Sequence, residues 1–163
     1  MLYRKMPENG DELSVLAFGC MRLPMKDGAI DEARATAQVR HAIERGVNYL
    51  DTAWPYHGGE SEPFVGRALS GGWRDKVRLA TKLPTWLVNT RADMDRFLNA
   101  QLKRLRTDRI DYYLVHALDG ALWDRMEALD VAGFLDEAKR DGRIVNAGFS
   151  FHGLAPDFVR IVD

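Results

Sequence analysis

Asp51, Tyr56, Lys82 and His116 are the residues whose types and spacing suggest chemistry. Asp51, Lys82 and His116 each follow an apolar run of the kind that forms a buried strand, and Tyr56 lies a short step beyond Asp51. A tyrosine phenol, with a pKa of about 10, is a poor acid near neutrality. A lysine ammonium beside it favours the phenolate and so eases proton donation. A carboxylate would let that lysine stay charged in a pocket, and an imidazole could hydrogen-bond a carbonyl or share the proton. Together such groups would protonate a carbonyl oxygen as hydride reaches the carbon. No side chain delivers hydride, so this reading implies a nicotinamide cofactor.

Each residue taken singly has an ordinary explanation. Asp51 could cap a turn, Tyr56 could be a surface aromatic, Lys82 could snorkel from a strand end, and His116 could be a satisfied core histidine. The joint reading therefore depends on the elements that would bring the four to one place.

Five apolar runs read as buried strands: Val15 to Phe18, Val47 to Leu50, Val77 to Ala80, Tyr112 to Val115 and Ile144 to Ala147. They recur roughly every thirty residues, the length of one strand-plus-helix unit. Between them lie helical patterns with recognisable ends. Asp31-Glu32 starts one that stops at Gly46, and Ser61 with Pro63 opens another that ends at Gly71-Gly72. Thr90 with Asp93 resembles a capping pair ahead of Met94, Phe97, Leu98, Leu102 and Leu105. A fourth stretch runs from about Leu122 to Arg140 with a break near Val131, and a fifth begins near Pro156. Alternating strands and helices imply a parallel α/β sheet, either a closed (β/α)8 barrel or an open doubly wound sheet. The open sheet should carry a Gly-rich phosphate turn after its first strand, and Gly19-Cys20-Met21-Arg22-Leu23-Pro24 lacks that pattern. An opening hairpin, Tyr3 to Met6 and Leu13 to Val15 around Glu8-Asn9-Gly10-Asp11, suits the plugged lower mouth of a barrel.

In a barrel the C-terminal ends of all strands share one mouth, where active sites gather. Asp51, Lys82 and His116 would meet there, with Ser150 just past the fifth strand and Trp54 and Trp86 on the same loops as an apolar pocket wall. Trp123 is a weaker candidate for that wall. A full barrel needs about 250 residues. Residues 1–163 hold four units and the start of a fifth, so the expectation is the N-terminal portion of one barrel domain.

Bulk properties narrow the alternatives. A formal net charge of −1 offers no global field for nucleic acid or an anionic membrane. The lone Cys20 excludes an internal disulfide framework, and the N-terminus lacks an apolar signal stretch. These features suggest a soluble, cytoplasmic protein. Asp51, His57, His116 and His152 could be imagined as metal ligands, but they form no compact ligand motif, so no metal is expected.

These stretches resemble the aldo-keto reductases: Gly19 to Leu23, Gly46 to Ala53 with Tyr56, Ala80-Thr81-Lys82, Ile110 to His116, Gly142 to Ile144, and Gly148-Phe149-Ser150. The resemblance implies an eight-unit barrel and NADPH-dependent reduction of a small carbonyl substrate. It implies Tyr56 as proton donor, tuned by Lys82 and Asp51, with His116 orienting the carbonyl. Asp51 and Ser150 are the cofactor-side residues it implies. The family usually has Ser-Asn after the fifth strand, both contacting the nicotinamide carboxamide; here the pair is Ser150-Phe151. The basic residues that grip the adenosine phosphate lie mainly on later strands, so none is named. The runs Tyr56 to Glu62 and Gly148 to His152 look most like members with a C-terminal ferredoxin-like region. An iron-sulfur cluster would need such a region in a longer protein, because one cysteine cannot hold it. Two other readings stay open: a non-catalytic half-barrel that self-associates through unpaired sheet edges, and a metal-dependent barrel hydrolase.

Overall fold

The computed structural model describes residues 1–162, in two compact units. The first holds Met1–Ala80 with Arg104–Arg106, and the second holds Thr81–Lys103 and the chain from Thr107 onward. The helix expected to be cut off at Asp163 is described only as far as Val162.

The first unit opens with the expected hairpin, β1 (Tyr3–Lys5) antiparallel to β2 (Glu12–Ser14). The first buried strand departs from expectation. Only β3 (Phe18–Gly19) forms, while Val15 and Leu16 are 49% and 62% exposed. The Ser14 hydroxyl donates to the Leu16 carbonyl at 2.6 Å and accepts the Asn48 amide at 3.1 Å. This bends the chain out of the hairpin before it can join the sheet. A second hairpin follows that the sequence reading overlooked, β4 (Met25–Lys26) with β5 (Ala29–Ile30). Its turn is Asp27-Gly28, both at positive φ, as a tight two-residue hairpin requires.

Helix α1 (Glu32–Glu44) begins where expected, with the Asp31 carboxylate accepting the Arg34 amide. Strand β6 (Tyr49–Asp51) pairs in parallel with β3 and with β7 (Arg78–Leu83), whose course runs through the unit boundary. Between them α2 (Ser61–Ala68) buries Phe64 and Val65. A Cβ at Gly66 would sit 2.5 Å from the Arg104 carbonyl, so glycine permits the close approach of Arg104–Leu105 to this helix.

In the second unit, α3 (Arg91–Leu105) carries a reciprocal cap. The Thr90 amide donates to Asp93, and the Asp93 amide donates to the Thr90 hydroxyl. Strand β8 (Ile110–Leu118) is buried along most of its length. Helices α4 (Gly120–Ala128) and α5 (Val131–Arg140) are separated, as the sequence suggested, by a break; Asp130 stands there in the left-handed region at φ 57°. Strand β9 (Ile144–Phe151) pairs in parallel with β8, and α6 (Ala155–Val162) follows. The strand order is β3-β6-β7 in the first unit and β7-β8-β9 in the second. The expected full burial of Ile144 to Ala147 holds only for Ile144, because β9 ends the order and Val145 is left exposed. Parallel strands alternating with helices make this an α/β fold, with the repeat of a (β/α)8 barrel.

Candidate active site

Two groups of candidate residues occupy the two units: Asp51, Trp54 and Tyr56 in the first, Lys82, Trp86, His116 and Ser150 in the second.

In the first unit Asp51 ends β6 in register with Gly19 on one side and Ala80 on the other. Both neighbours are small. The loop beyond is fixed by hydroxyls: Thr52 and Ser61 meet at 2.9 Å, and Ser61 reaches the Cys20 carbonyl at 3.2 Å. Tyr56 then enters a 3-10 turn (Tyr56–Gly59) in which His57 adopts φ 54°. His57 braces this loop. Its Nε2 accepts the Leu23 amide at 3.1 Å, and its Nδ1 lies 3.2 Å from the Met25 sulfur. Trp54 carries the Arg104 guanidinium 3.5 Å above its ring, and Arg104 also pairs with the fully buried Glu62 at 3.4 Å.

In the second unit Lys82 and His116 are 5% and 8% exposed, near the ends of β7 and β8. Their backbones are held by side chains the sequence reading did not name. The Gln101 amide donates to the Lys82 carbonyl at 2.9 Å, and the Thr85 hydroxyl donates to the His116 carbonyl at 2.8 Å. The register of β8 on β9 shifts between Val115 and Leu118, with Ala117 at φ 55°. This bulge lies beside His116, a place where bulges re-aim side chains. The Ser150 hydroxyl accepts the Ala117 amide at 2.7 Å and so pins the bulge.

Burial is the main cause that pushes His116 from the ordinary 6.5 down to about 4, with the nearby positive charges of Lys82 and His152 adding to it. The imidazole is therefore neutral at pH 7 and carries one N–H donor. Trp86 tilts against it at a ring separation of 5.2 Å. Phe151 stands where the family pattern has asparagine, and it packs edge-on against Phe158 at 5.5 Å. Trp123 lines a 190 Å³ apolar hollow with Val115, Leu135 and Phe149.

Among the described residues no three His, Cys, Asp or Glu side chains converge as a metal ion would need, and no helix is long and apolar enough to cross a membrane.

The aldo/keto reductase family model matches residues 15–157. The chain is 36% identical over 125 residues to aldo-keto reductase YhdN of Bacillus subtilis (strain 168), covering 71% of this chain and 38% of that protein. Probable aldo-keto reductase 1 of Glycine max is 28% identical over 96% of this chain and 46% of its own length. The solved holo form of aldo-keto reductase AKR11C1 from Bacillus halodurans superposes with a TM-score of 0.79 at 32% identity, over 99% of this chain and 53% of that one. The chain thus spans about half the length, or less, of these relatives. A family match over most of the sequence and a shared fold at this identity lead to one conclusion: the chain belongs to the aldo/keto reductase family.

Proposed function

We propose that this chain supplies the proton-delivery half of an NADPH-dependent reductase that converts an aldehyde or ketone to an alcohol. Residues 1–163 would then form the N-terminal portion of one barrel domain. The observation that carries the reading is His116, kept neutral beside Lys82 and against Trp86 at the ends of β7 and β8.

On this reading His116, neutral at working pH, donates its one N–H to the substrate carbonyl oxygen. Tyr56 gives its phenolic proton to the same oxygen. Lys82 lowers the cost of the phenolate left behind, and Asp51 offsets the lysine's charge. Trp86 and Trp54 supply apolar surface against which a carbonyl compound could pack. Ser150 accepts the Ala117 amide, which leaves its own O–H as a donor suited to a carboxamide oxygen. The donor chemistry thus fits a nicotinamide, and Ser150 and Asp51 are the residues that would hold it. When bound, NADPH supplies hydride to the carbonyl carbon.

Replacing Tyr56 with Phe tests the assignment. Aldehyde-dependent NADPH oxidation should fall by a factor of about 10²–10⁴, with cofactor affinity unchanged in a fluorescence titration. Undiminished turnover would remove Tyr56 from the role.

A further inference from the structure

Gln101 lies on α3, far in sequence from every residue of the proposed reaction, yet it is fully buried. Its amide nitrogen donates to the Thr81 hydroxyl at 3.2 Å and to the Lys82 carbonyl at 2.9 Å. Its amide oxygen accepts the hydroxyl of the fully buried Tyr113 at 2.7 Å. A buried primary amide is expensive unless satisfied. Here both of its polar atoms are used, and the nitrogen spans two consecutive residues of one strand end.

Successive side chains of a strand point to opposite faces. Thr81 faces α3 and binds Gln101, so Lys82 points to the other face. Fixing the Thr81 side chain and the Lys82 carbonyl together fixes the rotation of that strand end, which sets the direction of the lysine stem. An apolar residue would fill the same space on α3 without this grip. Met94, Leu98 and Leu105 on that stripe of the helix are buried with ordinary apolar packing.

We infer that Gln101, held by Tyr113, is a positioning residue for Lys82, gripping β7 from outside so that the lysine projects into the proposed site. The inference rests on the carbonyl-reduction reading for its purpose. The positioning itself can be measured without turnover.

The test uses 13C-lysine-labelled protein, with the Lys82 side-chain signal assigned by its loss in Lys82→Arg. Tyr113→Phe keeps both bonds from Gln101 to β7. Gln101→Met combined with Tyr113→Phe removes both side chains of the network at once, and the Thr81 hydroxyl and Lys82 carbonyl lose the Gln101 donor, so its melting temperature should fall by no more than about 10 °C below the single variant. The expected result is a Lys82 signal that moves or splits in the double variant and moves less in Tyr113→Phe, which keeps both bonds to β7. If the double variant does not fold, Gln101→Asn carries the same comparison, since its shorter amide withdraws from β7 and adds no charge beside Lys82. An unmoved Lys82 signal without the Gln101 amide, or an equal change in Tyr113→Phe, would overturn the inference. Carbonyl reduction is assayed separately: kcat should drop about tenfold in the double variant with KM little changed. Absence of turnover in the parent as well would count against the reductase reading, with the lysine signal still deciding the role of Gln101.

Discussion

The two groups of candidate residues are held by different means. Asp51 ends a three-residue strand, and Tyr56 stands on a loop secured by hydroxyl contacts, a left-handed His57 braced on Leu23, and a buried Glu62 paired to Arg104. Lys82 and His116 sit near the ends of longer strands, and neighbouring side chains hold their own carbonyls. A loop has no ladder to set direction and must be tied at many points. A strand inherits its direction from register, so a single bond at its end suffices to refine it. The loop-held half should therefore be sensitive to charge and polar substitutions, and the strand-held half to core packing.

The largest effect is expected in the second unit. Phe134→Ala empties a fully buried site packed edge-on against Tyr113 and should cost about 4 kcal/mol in urea unfolding. In the first unit, Arg104→Met takes the guanidinium from buried Glu62 and from the face of Trp54. A loss of about 3 kcal/mol is expected in urea unfolding. An unchanged stability would contradict the charge-based account of that half. Ser150→Ala removes the acceptor that pins the bulge after His116 and should cost about 1 kcal/mol. The His116 ring signals should shift more than those of Trp123.

The pH dependence has a definite sign. The unfolded chain takes up a proton on His116 near pH 6.5, whereas the folded chain resists until about pH 4. The stability contributed by the neutral imidazole is therefore complete above about pH 6.5 and is lost as pH falls through about 4. His116→Gln should flatten the stability profile between those values. An unchanged profile would mean that His116 does not titrate in this way.

Much of this arrangement was legible in the sequence. Lys82 and His116 stood out because an ionisable group after an apolar run is hard to explain by packing, and helix ends such as Asp31 and Thr90-Asp93 carry local signatures. Other features depended on tertiary contacts. Val15 and Leu16 look like strand, but the bond from Ser14 to Leu16 turns them outward. The bulge at Ala117 is held by Ser150 from the next strand. Two signals were available and unread: Asp27-Gly28 as a hairpin turn, and Gln101 as a single polar residue in the Met94, Leu98, Leu105 stripe of α3.

The central claim is that burial, with the charge of Lys82 adding to it, keeps the His116 imidazole neutral. It is tested most directly by NMR titration of the His116 ring in the parent protein and in Lys82→Met. The account predicts a midpoint of about 4 in the parent, and a higher one in the variant that still lies below 6.5, because burial remains. Equal midpoints in the two proteins would contradict it.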